Sequence, residues 1–169
     1  MRGHIKIGFG GGCHWCTEAV FQSLLGVSKV EQGWISAAKE AQSFSEAVIV
    51  HFDSELIPLE VLIEIHVRTH KSTSAHSMRE KYRSAIYYFT SEEEPVLSDI
   101  LGSLNQEFDN QLITQILPLS EFKPSRAAIQ NYYFSNPNKP FCETYINPKL
   151  KLLRARFSNY VVQSDLLLD

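Results

Sequence analysis

With 169 residues, 44% of them hydrophobic and 11% aromatic, the chain can bury one full core, and a single domain is expected. Its 16 basic and 19 acidic residues leave a net charge of −3, which gives no electrostatic reason to expect nucleic acid or an anionic membrane. No apolar run nears the roughly 20 residues that span a bilayer, MRGHIKIGF lacks the plan of a secretion signal, and 3 cysteines, an odd number, speak for catalytic or redox use over a secreted disulfide scaffold, so a soluble cytoplasmic monomer is expected.

Taken in order, Ile5, Ile7 and Phe9 make a short apolar strand that empties into Gly10, Gly11, Gly12 and then Cys13. A helix begins there. Ala19, Val20, Leu24 and Val27 recur three to four apart, and Gly26 offers the left-handed position that ends it. Residues 27–35 read as a strand, 36–45 as a polar turn, and 46–52, rich in branched residues, as a largely buried strand. Pro58 opens a helix with Leu59, Leu62, Ile63, His66 and Val67 on one apolar face. Residues 70–81 are polar and aperiodic, a loop ahead of Tyr82 and a strand at 83–89; such loops often carry chemistry. Thr90 and Glu93 spell a capping box for a helix that turns Val96, Ile100, Leu101, Leu104 and Phe108 inward. A strand at 112–117, a helix at 126–134, a loop carrying Cys142 and a surface helix within 145–157 complete the chain. Alternating strands and helices with hairpin-like pairs predict an α/β (α+β) fold, a mixed β-sheet flanked by helices.

The chemistry concentrates at Cys13. A cysteine in a helix's first turn faces unpaired backbone amides and the positive end of the macrodipole, which favour its thiolate. The glycine turn could instead cradle a phosphate, but no lysine follows at phosphate-loop spacing, and Cys13 stands where a dinucleotide fingerprint has its last glycine. Cys13-His14-Trp15-Cys16 has the spacing of a redox dithiol. As a zinc site it lacks a second pair, because Cys142 and the 6 histidines are scattered, so no metal is expected.

GGGCHWCTEAVFQSLLGV resembles the GCFWG-x-E signature of the type A peptide-methionine sulfoxide reductases, with His14 in the phenylalanine position and Cys16 in the second glycine position. SFSEAVIVHFDSELI is similar to that family's GHAEAV-x-V-x-YDP strand and KYRSAIYYF to its QYRSAIY strand; FKPSRAAIQNYYFSNP and YINPKL follow its later segments more loosely. The resemblance implies one such domain over residues 1–169 with a ferredoxin-like core, reduction of methionine-S-sulfoxide in peptides or free, and no metal or organic cofactor. Carried over, it makes Cys13 the nucleophile, Glu46 the acid, Tyr82 a hydroxyl donor to the sulfoxide oxygen and Trp15 a wall of the substrate pocket. Those types suit the chemistry. A sulfoxide sulfur becomes electrophilic only as its oxygen is protonated or strongly hydrogen-bonded, and an indole can hold an S-methyl group. Attack leaves a sulfenic acid on Cys13, which Cys16 or Cys142 would convert to a disulfide that a thioredoxin-like reductant reopens.

Two departures from the pattern stand out. Residues 36–45 contain none of the second site tyrosine the family carries there, and His76-Ser77 replaces its asparagine-aspartate pair. His14 or His76, both placed at the substrate by the resemblance, could supply the missing proton or hydrogen bond. A thiol–disulfide oxidoreductase working through Cys13 and Cys16, or a module that binds oxidised methionine without turnover, are the alternatives. Glu46 could equally be an exposed edge carboxylate and Cys142 a packed apolar residue.

Overall fold

A computed structural model describes residues 3–38 and 42–162. Five strands, β1 (His4–Gly10), β2 (Val27–Ala37), β3 (Ser45–Asp53), β4 (Ala85–Tyr88) and β5 (Gln115–Pro124), lie in the order β1-β3-β2-β5-β4, and β4 returns to β1 so that the sheet closes. All neighbours are antiparallel except β4 and β5. Around them pack α1 (His14–Gln22), α2 (Leu59–Arg68), α3 (Glu93–Glu107), the short α4 (Tyr132–Ser135) and α5 (Asn147–Arg156). The mixed sheet flanked by helices is the one expected from the sequence.

The two faces of the sheet follow from strand parity. On β3, Val48, Val50 and Phe52 join Phe9, Val20, Phe21, Leu62, Ile63 and Leu97 in the core under the helices, while Ala47 and Ile49 join Ile35, Ala85 and Tyr87 on the face enclosed by closure. The enclosed face is narrow: a Cβ on Gly8 would sit 2.9 Å from Tyr87 Cβ. Glu46 has the parity of Val48 and Val50, so the strand carries its side chain to the helix-covered face, at the end where α1 begins.

Five local expectations need correction. β2 runs on to Ala37 and β3 starts at Ser45, both inside the segment expected to be a turn; residues 39–41 of that segment lie outside the described residues. β5 begins at Gln115 and reaches Pro124, well past residue 117, because its second half pairs with β2 from Gly33↔Pro124 to Ala37↔Leu119, a non-local contact that apolar patterning cannot signal. Residues 126–134 are not one helix. Gln130 is extended and Asn131 left-handed (φ 57°), which separates a 3₁₀ turn (Ala127–Ile129) from α4. Cys142 lies not in a loop but at the start of a π-helical turn (Cys142–Ile146) that runs into α5, where Pro148 has no amide hydrogen to continue an α ladder. On α3 the buried stripe is Leu97, Leu101 and Leu104; Val96 is exposed.

Candidate active site

β1 delivers the chain to a turn pressed on every side. A Cβ on Gly10 would lie 3.0 Å from the carbonyl oxygens of both Arg83 and Glu46, and one on Gly11 would meet the His70 ring, so glycine is required. Cys13 then occupies the position before the first residue of α1, and its carbonyl accepts from the amides of Cys16 (3.1 Å) and Thr17 (3.2 Å) and from the Thr17 hydroxyl (3.2 Å). Its sulfur is only partly buried. The Cys16 thiol, one turn up the helix, donates to it, and with the amides of Trp15 and Cys16 this holds Cys13 below the usual thiol range, against burial and the Glu46 charge, which push it up. The same contact, together with burial, drives Cys16 far above that range. Of the two sulfurs, Cys13 is therefore the one whose thiolate is favoured.

Glu46 meets this helix mouth from β3. One carboxylate oxygen accepts the His14 amide at 3.1 Å, an otherwise unpaired donor of the first turn. The His14 ring turns inward: Nδ1 lies 2.9 Å from the Gly33 carbonyl, and Nε2 lies 3.6 Å from the same Glu46 oxygen. A carbonyl only accepts, so Nδ1 carries a proton, which leaves Nε2 as the ring nitrogen that faces Glu46. His14 also packs edge-on against Trp34, which pairs with Glu46 across β2 and β3. The other Glu46 oxygen is 3.7 Å from Lys81 Nζ, which lies 5.1 Å from the centre of the Tyr82 ring. Glu46 is 7% exposed, so it is no edge carboxylate. His14, Glu46 and Lys81 thus form one group around the start of α1, with half-buried Tyr82 beside Lys81.

Trp15 stacks face to face on Tyr132 (4.1 Å between centroids, 5° between planes) with Phe141 edge-on at 5.4 Å. Glu18, buried on α1, accepts the Tyr132 amide (3.0 Å), the Asn131 amide (2.8 Å) and the Gln32 side chain (3.0 Å), and burial raises its pKa. That anchoring is why residues 126–134 break where they do. Tyr132 and Phe141 were not read from the sequence, and the only prior mark on Glu18 was its place in the signature.

The remaining expected residues divide. Cys142 is fully buried against the core, its thiol 3.7 Å from the Asn136 carbonyl, and burial raises its pKa. His76 is half-buried and accepts the Met78 amide at 3.2 Å; it makes no hydrogen bond to Cys13, Cys16 or Glu46. His66, expected only as part of an apolar face, lies under the turn with Nε2 2.8 Å from the Gly10 carbonyl, and burial depresses its pKa to about 4. His70 and Lys149 close in from the same side. Among the described residues, no three His, Cys, Asp or Glu side chains are arranged to hold a metal ion, and no helix is long and apolar enough to cross a membrane.

A thiol of lowered pKa at a helix mouth, a partner thiol one turn away and a carboxyl group on the adjoining strand define a thiol-dependent oxidoreductase site on a closed mixed sheet. The model of the peptide methionine sulfoxide reductase family matches residues 5–160. The peptide methionine sulfoxide reductase MsrA of Psychrobacter sp. (strain PRwf-1) is 33% identical over 91% of this chain and 97% of its own length, and that of Pasteurella multocida (strain Pm70) 31% identical over 88% and 94%. The chain belongs to the peptide methionine sulfoxide reductase family. Its fold is similar to that of reduced Mxr1 from Saccharomyces cerevisiae (TM-score 0.74, 21% identity, 85% of this chain and 91% of the other). Mxr1 in complex with Trx2 aligns with a TM-score of 0.62 at 20% identity over 73% of this chain and 82% of the other.

Proposed function

We propose that the protein reduces methionine-S-sulfoxide, peptide-bound or free, to methionine through Cys13, acting as a single-domain cytoplasmic monomer. The observation that carries this reading is the Cys13 thiol at the mouth of α1, one turn from Cys16 and beside a buried carboxyl group hydrogen-bonded to the amide that follows the nucleophile. The Cys13 thiolate attacks the sulfoxide sulfur while Glu46 delivers a proton to the oxygen and Tyr82 hydrogen-bonds it. Oxygen passes to Cys13 as a sulfenic acid, and methionine leaves with its sulfur reduced. Trp15, backed by Tyr132 and Phe141, offers the apolar surface for the S-methyl group.

His14 is better placed than His76 to stand in for the acidic group the chain lacks. Its Nε2 faces Glu46 and can return a proton to it between turnovers, whereas His76 is occupied with the Met78 amide. Cys16 is the resolving thiol, because it already touches Cys13 and a helical turn between them suits a disulfide; Cys142 follows it. A thioredoxin-like dithiol then reopens the disulfide, a role supported by the relative seen with Trx2.

A second reading draws on the same pair of sulfurs: thiol–disulfide exchange through Cys13 and Cys16 with no sulfoxide step. Incubation with a methionine-S-sulfoxide peptide and dithiothreitol separates the two. Release of methionine peptide supports reduction; binding without turnover, or exchange with a disulfide substrate alone, rejects it.

A further inference from the structure

Beside the thiol pair lies a cavity of about 50 Å³ lined by Gly12, Cys13, Cys16, His66, His70 and Lys149, among others, and Glu46 is not part of its wall. It has room for a few water molecules and none for a methionine side chain. Lys149, on the first turn of α5, is expected from the pattern PKLKLLRARF to point to solvent. It is half-buried instead, its ammonium turned inward and donating to the Thr69 carbonyl at the end of α2, and desolvation lowers its pKa.

An ammonium drawn partly out of water calls for an anion. Among the described residues no carboxylate pairs with Lys149. Each element packed around it supplies something else. α2 and the segment after it bring His66 and His70, both kept neutral by burial, and Lys71, a cation that disfavours the charge on Lys149. Arg79, from the following loop, adds positive charge beside the histidines. The π-helical turn brings Cys142, held protonated by burial. Glu46 lies beyond Cys13, engaged with His14 and Lys81. What remains is α1, with Cys13 and Cys16 on the cavity wall.

We propose that Lys149 is the counter-charge of the Cys13–Cys16 pair, supporting the thiolate on Cys13 in the reduced protein and, after Cys13 has become a sulfenic acid, the thiolate on Cys16 that closes the disulfide. In that step the Cys16 proton leaves, its sulfur bonds to the Cys13 sulfur, the S–O bond breaks and the hydroxide takes a proton to depart as water. Cys16 is oxidised as the Cys13 sulfenic sulfur is reduced, so no further reactant is required. Lys149 acts here as a positioning residue through charge. Its effect is greatest on Cys16, whose pKa it lowers against the other causes that raise it. The inference rests on the Cys13 reaction proposed above.

The test uses the full chain with Cys13→Ser and Cys142→Ser, which leaves Cys16 as the single thiol. Iodoacetamide alkylation is followed against pH with Lys149 present, or replaced in Lys149→Met, Lys149→Gln and Lys149→Arg. Loss of the charge in either neutral variant is expected to slow alkylation at neutral pH at least tenfold by moving the thiol titration upward, and arginine to restore it to within about threefold. Two neutral replacements of different polarity keep the comparison open if one fails to fold. In the chain carrying only Cys142→Ser, rapid quench should show disulfide closure slowed at least tenfold in Lys149→Met, with methionine release slowed less. Unchanged Cys16 titration in the neutral variants overturns the proposal. Failure of the parent to release methionine at all overturns the sulfoxide reaction instead, and leaves the alkylation comparison to judge Lys149.

Discussion

Glu46→Gln separates sulfoxide reduction from plain thiol exchange, and its size can be worked from the site. Glutamine keeps an oxygen for the His14 amide, so the fold loses only the difference between a charge-assisted hydrogen bond of about 1.5–3 kcal/mol and a neutral one of about 1 kcal/mol. Exposed Lys81 adds little, being open to solvent and salt. A loss of about 1 kcal/mol lowers the melting midpoint of a chain of this size by roughly 2–4 °C. Catalysis suffers far more, because removing a positioned acid costs about 10²–10⁴ in rate. The nucleophile is not the cause: the Glu46 charge pushes the Cys13 pKa up, so its removal lets that pKa fall further and leaves more thiolate at neutral pH. The assay is methionine formation from a sulfoxide peptide with dithiothreitol, paired with thiolate absorbance against pH. A variant that keeps its rate within threefold, or whose rate falls only because Cys13 has lost ionisation, refutes the assignment of Glu46 as the acid.

Further consequences follow from the buried polar groups. His66 titrates near 4 in the folded protein against about 6.5 when unfolded, so the unfolded chain takes up the proton first as the pH falls. Its contribution to stability is therefore complete above about pH 6.5 and is lost towards pH 4, by roughly 3 kcal/mol; urea midpoints at pH 7 and 4.5 should diverge less in His66→Gln than in the parent, and equal divergence contradicts this. Glu18→Gln places an amide NH₂ against backbone or side-chain donors that the carboxylate now accepts, whichever way it is turned. It should cost about 2 kcal/mol in denaturant unfolding and, by loosening Tyr132 behind Trp15, raise KM more than it lowers kcat; an unchanged midpoint contradicts this arrangement.

The strand, glycine turn and helix around Cys13 were legible because each is signalled within a few residues: alternation in β1, three glycines, and an apolar stripe; the helix nevertheless stops at Gln22 with Ser23 as its cap, and Gly26, whose φ is 85°, instead turns the chain into β2. The placement of Glu46 beside them came from resemblance; strand parity accounts for it only once β3 is known to lie between β1 and β2. Closure of the sheet was not legible, since it depends on three β1–β4 pairs and four parallel β4–β5 pairs between segments far apart in the chain. Neither was Lys149. A lysine amid PKLKLLRARF reads as solvated, and only the arrival of α5 over the Thr69 carbonyl turns its charge inward. Tyr132 was hidden for a related reason: the helix expected around it is broken by Glu18, a residue 113 positions away from Asn131 in the chain.

The central measurement is one turnover of the protein with Cys16→Ser and Cys142→Ser against a methionine-S-sulfoxide peptide, with dimedone as trap and mass mapping of the product. One equivalent of methionine peptide and a dimedone adduct on Cys13 are expected; restoring Cys16 alone should replace the adduct with a Cys13–Cys16 disulfide. Reduced peptide without the adduct, an adduct on another residue, or neither product contradicts the account.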